Sequence, residues 1–166
     1  TLLKMAQLDA GVASLKIEPV ELSRLMADAF APLLVPSEIK GQQLTTEGCE
    51  GVTLACDRRW TAEALVNILK NCVEHTREGG WIRVQCRENP IFTELTITDN
   101  GEGIDKADLP HIFQRFYRGK QPGEDSVGIG LAMAHAVITR QGGTVSVASR
   151  KEQGTCFTIR FYKMEV

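Results

Sequence analysis

The chain has 166 residues, about one domain, with 43% hydrophobic and 24% charged residues, values that exclude a disordered chain. Lysines and arginines number 19 against 21 acidic residues, a net charge of −2, which argues against a nucleic-acid binder held by a basic surface. No apolar run approaches the roughly 18 residues needed to cross a bilayer, so no direct membrane contact is expected of this stretch. No signal-peptide pattern opens the chain, and its start at Thr1 suggests a piece of a larger protein.

In chain order, Thr1 to Ser14 places Leu2, Met5, Leu8 and Val12 at helical spacing. Residues this few rarely form a helix alone, and the segment reads as the end of a longer helix. Lys16 to Val20 is expected to be extended, because Pro19 biases its neighbour away from the helical region. Glu21 to Leu34 is a predicted helix with Leu22, Leu25, Met26, Ala29 and Leu33 on one face and Pro36 stopping it. Gln42 to Thr46 and Val52 to Cys56 are strand-like, joined by a turn containing Gly48 and Gly51. Asp57 is a candidate N-cap for a long helix over Arg58 to Thr76, broken by Gly79 and Gly80. Trp81 to Arg87 and Phe92 to Thr98 alternate as strands, with Asn89-Pro90 as the hairpin signal between them. Residues 108 to 127 read as short helix and loop. Val127 to Gln141 is a helix entered through Gly128 and Gly130 and ended by Gly142-Gly143. Thr144 to Ser149 and Thr155 to Tyr162 form a closing strand pair. The sum is an α+β two-layer sandwich: a mixed, mostly antiparallel sheet covered on one face by about three helices.

Five cysteines, at positions 49, 56, 72, 86 and 156, include no pair at zinc or redox spacing. The expectation is buried, reduced thiols and no structural metal.

Five short motifs carry possible chemistry. Asn67, Asn71 and His75, each four apart, share one helix face, and amide oxygens suit Mg²⁺ beside phosphates. A solvated face is the plain alternative. Asp99-Asn100-Gly101-Glu102-Gly103-Ile104 follows a strand. Its carboxylate could accept from an exocyclic amine such as that of adenine, and its glycines let the backbone approach a flat ring. A tight turn would use the same residues. Phe113 to Arg118 clusters aromatics with Arg115 and Arg118, which could reach a triphosphate or merely decorate an anchor. Gly128, Gly130 and Leu131 open a helix whose free N–H groups could bind phosphate oxygens. Thr155, at a strand start, could meet a base directly or through water, or be only a strand former.

Each motif is weak alone; their order is not. Asn-x-x-x-Asn, D-x-G-x-G, F-x-R-F-Y-R, G-x-G-L-A and G-T-x-F in one series resemble the catalytic ATP-binding domain of bacterial sensor histidine kinases. That domain shares the Bergerat ATP-binding fold with gyrase, mismatch-repair ATPases and a class of heat-shock chaperones. The likeness runs from about residue 16 to the end. Residues 1–15 look like the tail of the second helix of the kinase dimerisation and phosphoacceptor hairpin.

The resemblance implies ATP and Mg²⁺ as ligands, with Asn71 on the metal, helped by Asn67. It implies Asp99 on the adenine amine, Gly101, Gly103 and Ile104 along the base, and His75 flanking the nucleotide. Arg115 or Arg118 would lie near the outer phosphates, and Gly128, Gly130 and Leu131 along the phosphate chain. Residues 113 to 127 would form a lid, and Thr155 would support Asp99 around a water. The γ-phosphate would pass to a histidine on the hairpin and then to a response regulator aspartate, in the cytoplasmic domain of a membrane-anchored sensor. Asn67 stands where hydrolytic relatives of this fold carry a glutamate, and an amide cannot act as general base, so hydrolysis is the weaker expectation. Glu74 departs from the basic residue often found before His75 and leaves open a nucleotide-gated protein-binding module. His75, His111 and His135 each lack the phosphoacceptor setting, so that histidine is expected outside this chain.

Overall fold

The structure is a computed structural model that describes residues 2–9, 14–117 and 130–163. Five strands form the main sheet: β2 (Gln43–Glu47), β4 (Trp81–Glu88), β5 (Phe92–Asp99), β6 (Thr144–Arg150) and β7 (Gly154–Tyr162), in the order β2-β4-β5-β7-β6. Pairing is antiparallel except between β2 and β4, which run parallel. A separate two-stranded ribbon joins β1 (Glu18–Glu21) to β3 (Thr53–Cys56).

Side chains alternate across the sheet, as a strand period of two dictates. Ile82, Val84, Leu95, Ile97, Phe157 and Ile159 are all fully buried on one face, beneath α2 (Leu22–Phe30), α4 (Arg58–His75) and α5 (Gly130–Arg140). These three helices are the covering layer expected of the sandwich. The other face carries polar side chains. On it, Arg87 and Arg160 flank Glu94 on neighbouring strands, with contacts of 2.7 and 2.8 Å to its two oxygens. Glu94 is thereby almost wholly buried.

Asp57 caps α4 as expected, its Oδ1 accepting from the Trp60 amide at 2.9 Å. Its Oδ2 accepts from the Lys16 amide at 2.7 Å, and its own amide donates to the Gln141 side chain at 2.8 Å. The segment leading into the domain and the end of α5 therefore meet at the first turn of α4. Preceding that segment, α1 (Leu2–Asp9) buries Met5 and Leu8 and pairs Lys4 with Glu63 of α4.

Three sequence expectations need correction. The helix over Glu21 to Leu34 is interrupted: α2 ends at Phe30, a 3-10 turn spans Ala31–Leu33, and α3 covers Leu34–Ile39. Pro32, with no N–H to give, breaks the ladder, whereas Pro36 sits in the first turn of α3, where the missing donor costs nothing. The strands β2 and β3 are not partners across their glycine turn; each joins a different sheet. Finally, Cys49 and Cys86 form a disulfide, so the expectation of five reduced thiols fails for this pair. Parallel pairing of Glu47 with Gln85 delivers Cys49, two residues past the strand, beside Cys86. Cys56, Cys72 and Cys156 are free thiols.

Candidate nucleotide-binding site

Inward alternation along β5 sends Asp99 to the same face as Leu95 and Ile97, leaving a carboxylate only 4% exposed at the edge of an apolar layer. Burying a charge there is costly unless donors surround it. Its Oδ1 accepts from the amides of Gly101 at 2.9 Å and Thr155 at 3.3 Å. Burial raises the Asp99 pKa above its ordinary 3.8, and the donors of Gly101 and Thr155 work against that rise.

The glycines around Asp99 are fixed by contact with the protein's own backbone. A Cβ on Gly101 would lie 2.4 Å from the His75 carbonyl oxygen, and one on Gly103 2.2 Å from that of Arg150. Gly154, with φ of +122°, would bring a Cβ within 2.0 Å of the Asp99 carbonyl oxygen. Ile104 is half-buried, its amide donating to Ser149 Oγ at 2.7 Å, and Ser149 in turn bonds the Thr155 hydroxyl at 2.9 Å. Loop, β6 and β7 are thus stitched together behind the carboxylate.

The polar stripe of α4 runs between two anchors. At one end, the amide nitrogen of Asn67 contacts Met133 Sδ at 3.5 Å, and a Cβ on Gly130 would lie 3.7 Å from the Asn67 side chain. At the other, His75 Nδ1 lies 2.9 Å from Glu102 Oε1, and its carbonyl accepts from the Glu102 amide at 3.1 Å. Asn71, half-buried, stands between them. Eight residues of helix separate the start of α5 from the Asp99 loop by about 12 Å. The half-buried stripe therefore runs between a buried acceptor and the start of α5. Leu131 packs half-buried against the core behind that N-terminus.

Among the described residues, no group of three or more His, Cys, Asp and Glu could hold a metal ion. Asn67 and Asn71 offer only neutral amide oxygens. Such a donor set fits Mg²⁺ that arrives on phosphate oxygens and keeps its waters, and does not fit a free ion.

Beyond the loop, Phe113 is pinned between the rings of His135, at 5.2 Å, and Phe157, at 6.4 Å. The exposed segment after it holds Arg115, Phe116 in a left-handed conformation (φ 64°), and Tyr117, whose hydroxyl bonds Asp108. Arg118, Gly128 and most of the expected lid lie outside the described residues. Sequence reasoning missed Lys40 and Gln42, which cap the end of α4: Lys40 Nζ donates to the Val73 carbonyl at 2.9 Å, and Gln42 to that of Thr76 at 2.7 Å. Neither belongs to a recognisable motif.

Residues 56–165 match the family described as histidine kinase-, DNA gyrase B-, and HSP90-like ATPase. Sensor histidine kinase YvrG of Bacillus subtilis is 35% identical over 116 residues, 69% of this chain and 20% of the relative. Among solved structures, a mycobacterial sensor histidine kinase, MprB, superposes with a TM-score of 0.77 at 24% identity, over 91% of this chain and all of that one. Full-length ShkA, solved in complex with AMPPNP, gives 0.83 at 22% identity, over 99% of this chain and 35% of that one. The chain therefore belongs to the histidine kinase-, DNA gyrase B- and HSP90-like ATPase family, and the part of the sensor kinases it matches is the ATP-binding catalytic part. It spans between 20% and 29% of the length of the first curated relatives.

Proposed function

We propose that this chain holds ATP with Mg²⁺ and presents the γ-phosphate to a histidine on a separate helical hairpin, for relay to a response regulator. The observation that carries the reading is the pairing of a caged, inward-facing Asp99 with the Asn67–Asn71 stripe that leads from it to the start of α5.

Each part has a physical task. Asp99, with Oδ1 occupied by two amides, keeps acceptor capacity for the adenine amine. Thr155 holds that carboxylate from β7. His75, tied to Glu102, borders the base end of the stripe. Asn71 and Asn67 contribute amide oxygens where phosphates would lie, and Gly130 leaves the α5 N-terminus open to them. Mg²⁺, when bound, neutralises phosphate charge. Arg115, with Arg118 beside it in sequence, supplies further positive charge to the outer phosphates. Phosphoryl transfer is then mostly positioning and charge neutralisation, and a neutral imidazole needs no strong base to attack. Asn67 cannot deprotonate water, which favours transfer over hydrolysis.

The docked α1 supports residues 1–15 as the tail of the hairpin: Met5 and Leu8 lie against the helical layer and leave Leu2 and Leu3 outward. No helix among the described residues is long and apolar enough to cross a membrane. A cytoplasmic placement below a membrane-anchored sensor follows from the reading of the function.

Incubating the chain with a supplied hairpin domain and γ-labelled ATP tests the proposal. Acid-labile label on the hairpin, and none on this chain alone, is the expected result. Release of free phosphate with no labelled hairpin would replace transfer by hydrolysis.

A further inference from the structure

Glu102 lies inside the glycine-rich loop after β5, and the phosphoryl-transfer reading gives its carboxylate no contact with ATP. Backbone fixes its place on two sides: its amide donates to the His75 carbonyl at 3.1 Å, and its carbonyl accepts from the Glu152 amide at 2.6 Å. The end of α4 and the turn between β6 and β7 thus hold one residue between them. From there, Glu102 Oε1 meets His75 Nδ1 at 2.9 Å. An ionised carboxylate accepts hydrogen bonds and donates none, so Nδ1 carries the hydrogen. In a neutral imidazole the other nitrogen, Nε2, is then a bare acceptor. Among the described residues Nε2 has no hydrogen-bond partner, and the ring is part-exposed.

We propose that Glu102 is a positioning residue for nucleotide selection: by accepting from His75 Nδ1 it fixes the ring and leaves Nε2 as an acceptor for a ribose hydroxyl. The inference rests on the reading of Asp99 as the adenine contact and of the asparagine stripe as the path of the phosphates. An acceptor needs a donor, and ATP has few. Its phosphate oxygens, when ionised, only accept. Its donors are the 6-amino group, which that reading gives to Asp99, and the 2′ and 3′ hydroxyls. His75 stands one helical turn beyond Asn71 on the same face, about 6 Å along the axis, where its carbonyl meets the Asp99 loop. The sugar, which joins base to phosphates, passes within its reach.

Two readouts at about pH 8, where free imidazole is neutral, test this. Nitrogen-15 NMR of the whole chain, with the His75 signals assigned by His75→Ala, should show hydrogen on Nδ1 and none on Nε2; free histidine prefers the opposite tautomer. Calorimetry should find ATP bound about fivefold more tightly than 2′,3′-dideoxy-ATP, the difference of one hydrogen bond. Glu102→Ala should bring that ratio below about twofold while holding dideoxy-ATP within about twofold of native. Glu102→Gln, whose amide oxygen still accepts from Nδ1, should keep the ratio at about fivefold. Hydrogen on Nε2 in the native chain overturns the proposal without recourse to a variant, and so does equal native affinity for the two nucleotides. Equal weakening of both nucleotides in Glu102→Ala would make the pair a structural tie only. Asp99→Asn separates the two layers. If it binds ATP normally, the adenine reading falls and this inference with it. If it loses ATP while the ratio in Glu102→Ala stays native, the Glu102 role alone falls.

Discussion

Thr155 donates its backbone amide to the Asp99 carboxylate across 3.3 Å, joining residues 56 apart in sequence and neighbours on β5 and β7. That contact ties the placement of the carboxylate to the sheet as well as to the loop of Gly101. The carboxylate is aimed by strand pairing.

Asp99→Asn should weaken ATP binding at least about tenfold, because an amide offers a donor toward the ligand's own donor in a buried site. Acidification should have the same effect on the native chain. The raised Asp99 pKa means that the acceptor is protonated, and affinity lost, at a higher pH than for an ordinary aspartate. Calorimetry from pH 7 downward checks both, and a variant with native affinity would remove Asp99 from base recognition.

Asn71→Ala should bind nucleotide more weakly and without response to Mg²⁺. The native chain should bind no Mg²⁺ in the absence of nucleotide, since its amides alone cannot offset the ion's charge. A native Mg²⁺ response in the variant would move the metal site elsewhere on the chain.

Much of this was legible in the sequence. Regular period-2 and helical patterns located β4, β5, β6, β7 and α4 to within a residue or two, and Asp57 marked the start of α4. The fixed order of five motifs led to Asp99 and the asparagine stripe. What the sequence hid depends on pairing at a distance. Nothing local in Gln43–Glu47 says that it runs parallel to β4, because the strand that follows it in sequence turns away to β1. The same pairing hides the Cys49–Cys86 bond. Pro36 read as the helix stop and Pro32 as part of the helix; the backbone shows the reverse, a break at Pro32 and a new helix with Pro36 in its first turn.

The Cys49–Cys86 bond closes a loop across 37 residues of chain, and constraint of the unfolded state should make it worth about 3–4 kcal/mol. Denaturant unfolding with and without reductant measures the difference. Titration of the unfolded, unreduced chain should find three thiols, those of Cys56, Cys72 and Cys156. Five thiols and no reductant effect would mean that the bond does not form.

Glu94 provides a pH signature on the opposite face. Burial opposes its ionised form, but hydrogen bonds from Arg87 and Arg160 prevail and hold the pKa below its ordinary 4.5. A lowered carboxylate contributes stability that is present above the unfolded value and lost as pH falls through the folded one. Glu94→Gln should cost about 1 kcal/mol at neutral pH, since both arginines are part-exposed, and should lose less stability than the native chain on going below pH ~4.5. Parallel thermal melts for the two proteins would refute the assignment.

The most direct test of the whole account is a crystal structure with Mg²⁺ and a non-hydrolysable ATP analogue. The account predicts the adenine 6-amino group within hydrogen-bond distance of the Asp99 carboxylate and the phosphates beside Asn67, Asn71 and the start of α5. A nucleotide bound elsewhere, or that cleft filled by packed side chains, would contradict it.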